Sequence, residues 1–236
     1  MDDLIEAADD AYGTGLVTML RGEDFHDALV DTSGLAEAEV DRLAGPFAHV
    51  VVDEAQELTD AEWQMLLARC PSRSFTIVGD RAQARAGFAE SWRERLERVG
   101  LDRISLASLT VNYRTPREVM AVAEPVIRAV LPDANVPTSI RGGVPVGYGT
   151  AADLDAIVDE WLAGNADGVA CVIGDATYAG TPRVWSLTPQ LAKGLEFDLV
   201  VLVDPEAFGD GVAGGVDRYV AMTRATRRLV ILTGRR

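Results

Sequence analysis

His49-Val50-Val51-Val52-Asp53-Glu54-Ala55-Gln56 is the stretch on which the reading of this chain turns. A short β-branched run reads as a buried strand. It delivers two adjacent carboxylates to the strand's C-terminal end, where open α/β sheets hold their ligands. The first carboxylate suits a hydrated Mg2+, and the second suits a water that attacks a γ-phosphate. The plainer reading of the same residues is an acidic helix start after a core strand, so the neighbouring sequence has to separate the two.

Downstream, Thr59-Asp60-Ala61-Glu62 is a capping box for a helix running to about Arg69, with Trp63, Leu66 and Leu67 on its buried side and Pro71 forbidding continuation. Phe75-Thr76-Ile77-Val78 predicts a second buried strand, Trp92–Val99 a helix, and Ile104–Leu109 a third strand. A further capping box, Thr115-Pro116-Arg117-Glu118, predicts a helix ending near Leu131-Pro132, with Pro116 at its first position. From Asp133 to Tyr148 the density of Pro and Gly reads as a loop with room for a short strand. A helix over Leu154–Leu162 stops at Gly164, and strands are expected at Gly168–Ile173, Arg183–Ser186, Leu199–Val203 and Leu229–Thr233. Between the last two, a glycine-rich loop, Gly209–Gly215, should precede a helix over Val216–Ala225. Strand and helix patterns in alternation predict a parallel sheet and an α/β class.

Upstream, residues 1–46 form a lead-in with helices expected at Asp2–Tyr12 and Leu35–Ala44, and an ambiguous apolar stretch at Gly15–Leu20. No run approaches the roughly 20 apolar residues of a membrane-spanning helix, and the acidic start is unlike a secretory signal, so a cytoplasmic protein without membrane association is expected. Cys70 and Cys171 have no Cys or His neighbours at ligand spacing and read as buried thiols; His26 and His49 read as structural. The net charge of −15 repels a polyanion, which argues against strong autonomous DNA binding and towards a protein partner.

Five segments form an ordered set: Asp53-Glu54-Ala55-Gln56; Val78-Gly79-Asp80-Arg81-Ala82-Gln83; Asn112-Tyr113-Arg114-Thr115; Ala192-Lys193-Gly194-Leu195-Glu196-Phe197; and Tyr219-Val220-Ala221-Met222-Thr223-Arg224-Ala225. In order and spacing the set resembles motifs II to VI of superfamily 1 helicases of the UvrD/Rep/PcrA type. The resemblance implies two RecA-like parallel-sheet domains, with residues 47–109 as an incomplete 1A domain and residues 110–236 as a 2A domain. It also implies ATP and Mg2+ as cofactors. Asp53 would then serve Mg2+ through water, Glu54 the attacking water, and Gln83 the γ-phosphate. Arg114 and Arg224 would be arginine fingers from across the cleft, Tyr113 the adenine-stacking residue, and Glu196, beside Gly194, the ribose contact. Hydrolysis of a nucleotide triphosphate needs such a set: a metal, a positioned water and cations on the developing phosphate charge.

The departures are equally informative. The phosphate-binding Gly-x-x-x-x-Gly-Lys-Ser/Thr loop is missing, and the only lysine is Lys193. The chain is therefore expected to be the C-terminal portion of a longer motor, inactive by itself. Ala86 stands where relatives carry a base-stacking aromatic, leaving Phe88 nearby, and Gln190 takes the family's histidine position in motif V. Phe88, Thr188, Gln190 and Lys193 are candidates for nucleic-acid contact or coupling. Too few residues separate Thr115 from Ala192 for an inserted 2B domain, so a compact 2A domain is expected. These features look most like the HelD branch, with its HelR-like members, which implies RNA polymerase as a partner. A fragment of a 3′-to-5′ DNA helicase and a non-catalytic interaction module are the alternatives.

Overall fold

The computed structural model describes residues 44–86 and 90–234. The segments expected at Asp2–Tyr12, Gly15–Leu20 and Leu35–Ala44 lie outside the described residues, Ala44 excepted, and so does Phe88.

The opening valines form β1 (Val50–Val52), which runs parallel to β2 (Phe75–Ile77) with Val50 opposite Phe75 and Val52 opposite Ile77. Between them lies α1 (Asp60–Arg69), started by the expected box: the Thr59 amide donates to the Glu62 carboxylate at 2.7 Å, and the Glu62 amide donates to the Thr59 hydroxyl at 3.3 Å. The Thr59 amide, and then the Thr59 hydroxyl, which donates to the same carboxylate at 2.8 Å, hold the Glu62 carboxyl below the usual carboxylate range. Helix α2 (Trp92–Arg98) begins with a second box, Ser91 and Glu94. Val52, Ala55, Trp63, Leu96, Val99 and Leu101 close a small core under this pair of strands.

Ile104–Leu109 is not a strand. It has no ladder partner among the described residues, and Leu106 and Leu109 are exposed, so no neighbouring strand is there to satisfy a strand's backbone. The next strand is β3 (Val111–Asn112), which pairs with β4 (Thr138–Ser139) in a separate parallel ladder. Helix α3 (Arg117–Val130) follows without the expected box. Its N-cap is Pro116, with no side-chain cap. The Asn112 side chain takes the amides of Arg114 and Thr115 at 2.9 and 3.1 Å, the buried Thr115 hydroxyl donates to the Thr223 carbonyl, and Glu118 accepts from the Gly143 amide. Tertiary partners have claimed both box residues.

The remaining chain builds a five-stranded, all-parallel sheet in the order β5 (Gly147–Thr150), β9 (Ala225–Thr233), β8 (Phe197–Val203), β6 (Ala170–Ile173), β7 (Val184–Leu187). Helix α4 (Leu154–Gly164) and the short α5 (Pro189–Ala192) occupy two of the crossovers, and α6 (Gly211–Thr223) leads into β9. Both faces of the sheet are buried, which is why β6 and β8 read as continuous apolar runs. Cys171, Ile173, Val200 and Leu202 pack under α3 and α6, while Ala170, Val172, Leu199 and Val201 pack under α4 with Val158 and Trp161. Cys70 and Cys171 are buried free thiols, and burial pushes the Cys171 thiol up to about 12. The expected α/β class with parallel sheets is what the chain has.

The loop expected at Gly209–Gly215 is mostly the first turn of α6. These glycines serve close packing: a Cβ on Gly214 would lie 1.9 Å from the Gly209 carbonyl oxygen, and one on Gly215 would lie 2.5 Å from Val130 of α3. Ala225, expected to end that helix, instead begins β9, so Arg224 sits alone at the junction of α6 and β9. Among the described residues no helix is long and apolar enough to cross a membrane.

Candidate functional site

Asp53 and Glu54 leave the C-terminal end of β1 on the surface, and Glu54 takes left-handed backbone angles, φ 53° and ψ 35°. For a non-glycine residue that conformation costs about 1–3 kcal/mol and persists only when its surroundings impose it. The Asp53 Oδ1 accepts from the Glu54 amide at 2.8 Å, and the Ala55 amide reaches the Val78 carbonyl at 3.0 Å. Buried Gln56 donates to the Glu54 carboxylate at 2.5 Å and accepts from the Asp80 amide at 3.0 Å. The ends of β1 and β2 are thus tied together through one glutamine.

Gln83 closes a short 3-10 turn, Arg81–Gln83, capped by Asp80. Its side chain donates to Asp80 at 2.9 Å and accepts from the Arg224 guanidinium at 3.4 Å. Arg224 is 2% exposed and donates to the carbonyls of Val220 at 3.2 Å and Leu195 at 3.4 Å. It forms no ion pair with a carboxylate among the described residues. Burial, and then the neighbouring Arg114 charge, lower its pKa to about 10, so it remains a cation at neutral pH. Arg114 pairs with Glu196 at 3.1 Å, and its buried Nε has no hydrogen-bond partner among the described residues.

Tyr113, 75% exposed, stands with Arg114, Glu196, Gln83 and Tyr219 around a cleft of about 550 Å³. A second cleft, of about 640 Å³, is lined by Asp53, Glu54 and Arg81. Asp80 and Gln83 line both, so the carboxylate end and the arginine end meet at Gln83. Gly194 has a φ of 76°, and a Cβ added there would meet nothing within 4 Å; backbone conformation, not space, calls for glycine.

Lys193 contacts protein here. Its ammonium donates to Glu57 at 2.5 Å and to the Gln83 carbonyl at 3.1 Å, and it pairs with Glu54 at 3.3 Å. Gln190 donates to Asp217 at 2.6 Å, and the Thr188 hydroxyl caps α5 by accepting from the Leu191 amide. Sequence reasoning did not single out Gln56, Asp80, Arg85 and Asp217 as functional. Asp217 carried a signal, being a lone carboxylate within the apolar pattern of its helix.

Among the described residues no cluster of three His, Cys, Asp or Glu could hold a metal ion. Asp53 offers one exposed carboxylate, which fits a Mg2+ that keeps most of its waters and is shared with phosphates, and does not fit an all-protein metal site.

No protein-family profile and no curated protein sequence matches this chain. Solved structures it is similar to include helicases. They include the PRRSV helicase, at 17% identity and a TM-score of 0.47 over 78% of this chain and 34% of that one. The arterivirus nonstructural protein 10 helicase in complex with DNA is 21% identical, with a TM-score of 0.45 over 78% of this chain and 39% of that one. The C-terminal domain of a possible DNA helicase from Lactobacillus plantarum is 17% identical, with a TM-score of 0.38 over 52% of this chain and 87% of that one. The chain spans about a third of the length of the first of these helicases.

Proposed function

We propose that this chain carries the split hydrolytic centre of a helicase-type, ATP-driven motor, with residues 47–109 and 110–236 as its two RecA-like halves. The observation that carries this reading is Arg224: a buried guanidinium that pairs with no carboxylate among the described residues, directed at Gln83 and crowded by Arg114. A cation so held is short of an anion, and a γ-phosphate supplies one. Asp53 would hold Mg2+ through water, Glu54 would orient the attacking water once freed from Lys193, and Gln83, Arg114 and Arg224 would surround the γ-phosphate. Tyr113 would stack on the base, and Glu196, beside Gly194, would hold the ribose. Mg2+ would neutralise phosphate charge.

Without a phosphate-binding loop in its sequence, the isolated chain should hydrolyse ATP negligibly. Turnover by purified chain that Glu54→Gln abolishes would overturn that expectation. The finer reading is a HelD-like motor that releases or recycles RNA polymerase, supported by Ala86 at the stacking position and a net charge of −15. Association of the full-length protein with RNA polymerase, and its ATP dependence, tests it; no association removes the assignment, and robust 3′-to-5′ unwinding favours a UvrD/Rep-type helicase. One observation favours a non-catalytic interaction module instead, the ion pair that occupies Glu54 with Lys193. That module would show no ATPase even with the phosphate loop supplied.

A further inference from the structure

Three side chains at alternate positions of one short segment, Arg81, Gln83 and Arg85, reach from residues 47–109 to residues 110–234. Arg81 grips Asp133, beyond the end of α3, through two parallel bonds of 2.8 and 3.3 Å. Arg85 donates from Nε to both carboxylate oxygens of Asp217, at 3.1 and 3.0 Å. Asp217 is 4% exposed in the middle of α6, and its remaining side-chain partner is Gln190. Gln83, between the two arginines, meets Arg224 at the end of the same helix.

These contacts are unequal. The Gln83–Arg224 bond, at 3.4 Å, is at the long limit of a hydrogen bond and would not fix its own geometry. The flanking bonds join full charges; the Arg81 guanidinium makes a two-nitrogen fork on Asp133 that fixes direction as well as distance, while Arg85 shares its single Nε–H between the two oxygens of Asp217. A buried carboxylate also demands compensation, which ties Arg85 to Asp217 more firmly than its own half-exposed side chain would suggest.

We propose that Arg81 and Arg85 are positioning residues that hold Gln83 against Arg224 by gripping Asp133 and Asp217 on either side of it. This rests on the reading of Gln83 and Arg224 as γ-phosphate contacts for its relevance to catalysis, but the latch itself exists without nucleotide.

The test measures, by NMR on the full chain, solvent exchange of the Arg224 Nη2 protons, which donate to Gln83, alongside the circular dichroism spectrum. Arg81→Gln and Arg85→Gln should each raise that exchange several-fold with the spectrum unchanged, and the swap of Arg81→Asp with Asp133→Arg should restore slow exchange. If Arg85→Gln unfolds the chain by stranding Asp217, the pair Arg85→Gln with Asp217→Asn removes both charges and gives the same readout. Unchanged exchange in the folded variants, or a swap that fails to restore it, would overturn the latch. Failure of Mg2+–ATP to bind when the phosphate-binding loop is supplied, with the exchange effects intact, would sink the nucleotide reading and leave the latch standing.

Discussion

Arg224 touches Gln83 and Glu54 shares a cleft with it, and the two are held in different ways. Arg224 ends a helix that lies against a sheet buried on both faces, and its guanidinium is fixed by carbonyls of α6 and of the chain just before β8. Glu54 ends a three-residue strand whose sheet has two strands among the described residues, and it is held by side chains: Gln56, Lys193 and the amide bond to Asp53. The cationic side is rigid because packing leaves it no alternative, whereas the acidic side depends on a few polar contacts that a ligand could exchange.

The largest test of that contrast is chemical. In a full-length motor that supplies the phosphate-binding loop, Arg224→Ala should slow hydrolysis by a factor on the order of 10³–10⁵, the size of an arginine finger. Single-turnover kinetics would measure it, and an unchanged rate would remove the finger role. Next comes the packing itself. Leu202→Ala, in the fully buried β8, should cost about 2–5 kcal/mol in urea unfolding. Leu106→Ala, in the exposed connection before β3, should stay within about 0.5 kcal/mol. Equal losses at the two sites would show that the two regions are not held differently.

Gly215→Ala sharpens the comparison within the rigid side. A methyl 2.5 Å from Val130 should destabilise by about 1–3 kcal/mol, and Val130→Ala in the same chain should recover part of the loss. A neutral Gly215→Ala would mean that α3 and α6 can separate freely. The smallest effect concerns the two helix starts that share a threonine followed three residues later by a glutamate. Thr59→Ala removes a real cap and should cost about 0.5–2 kcal/mol. That loss should disappear when Glu62 is also changed to Ala, because the box acts as a pair, whereas Thr115→Ala should be insensitive to Glu118→Ala since those side chains do not cap together.

Helices and strands with strong local chemistry were legible in the sequence. Thr59–Glu62 stated its box, the valines of β1 and the apolar runs of β6 and β8 stated burial, and the two-period alternation stated a parallel α/β sheet. Misreadings came where a partner distant in sequence had the deciding vote. Thr115 and Glu118 have the letters of a capping box, yet Asn112, Thr223 and Gly143 claim the groups that would have formed it. Gly214 and Gly215 have the composition of a loop, yet they pack closely against Gly209 and Val130 within a helix. Ile104–Leu109 has the composition of a strand, and no neighbouring strand among the described residues receives it.

The amino-acid sequence by itself determined which residue types were available for chemistry and in what order along the chain: two carboxylates at a strand end, a glutamine, two arginines and a single lysine. Only the tertiary structure decided their pairing. It brought Gln83 to Arg224, gave Lys193 to Glu54 and Glu57, and buried Asp217 for Arg85 and Gln190. Local propensity and hydrophobic period act over a few residues and survive in the sequence pattern. The partner of a charged side chain is set by distances between elements far apart in the chain, and those exist only once the sheets have formed and the helices have packed on them.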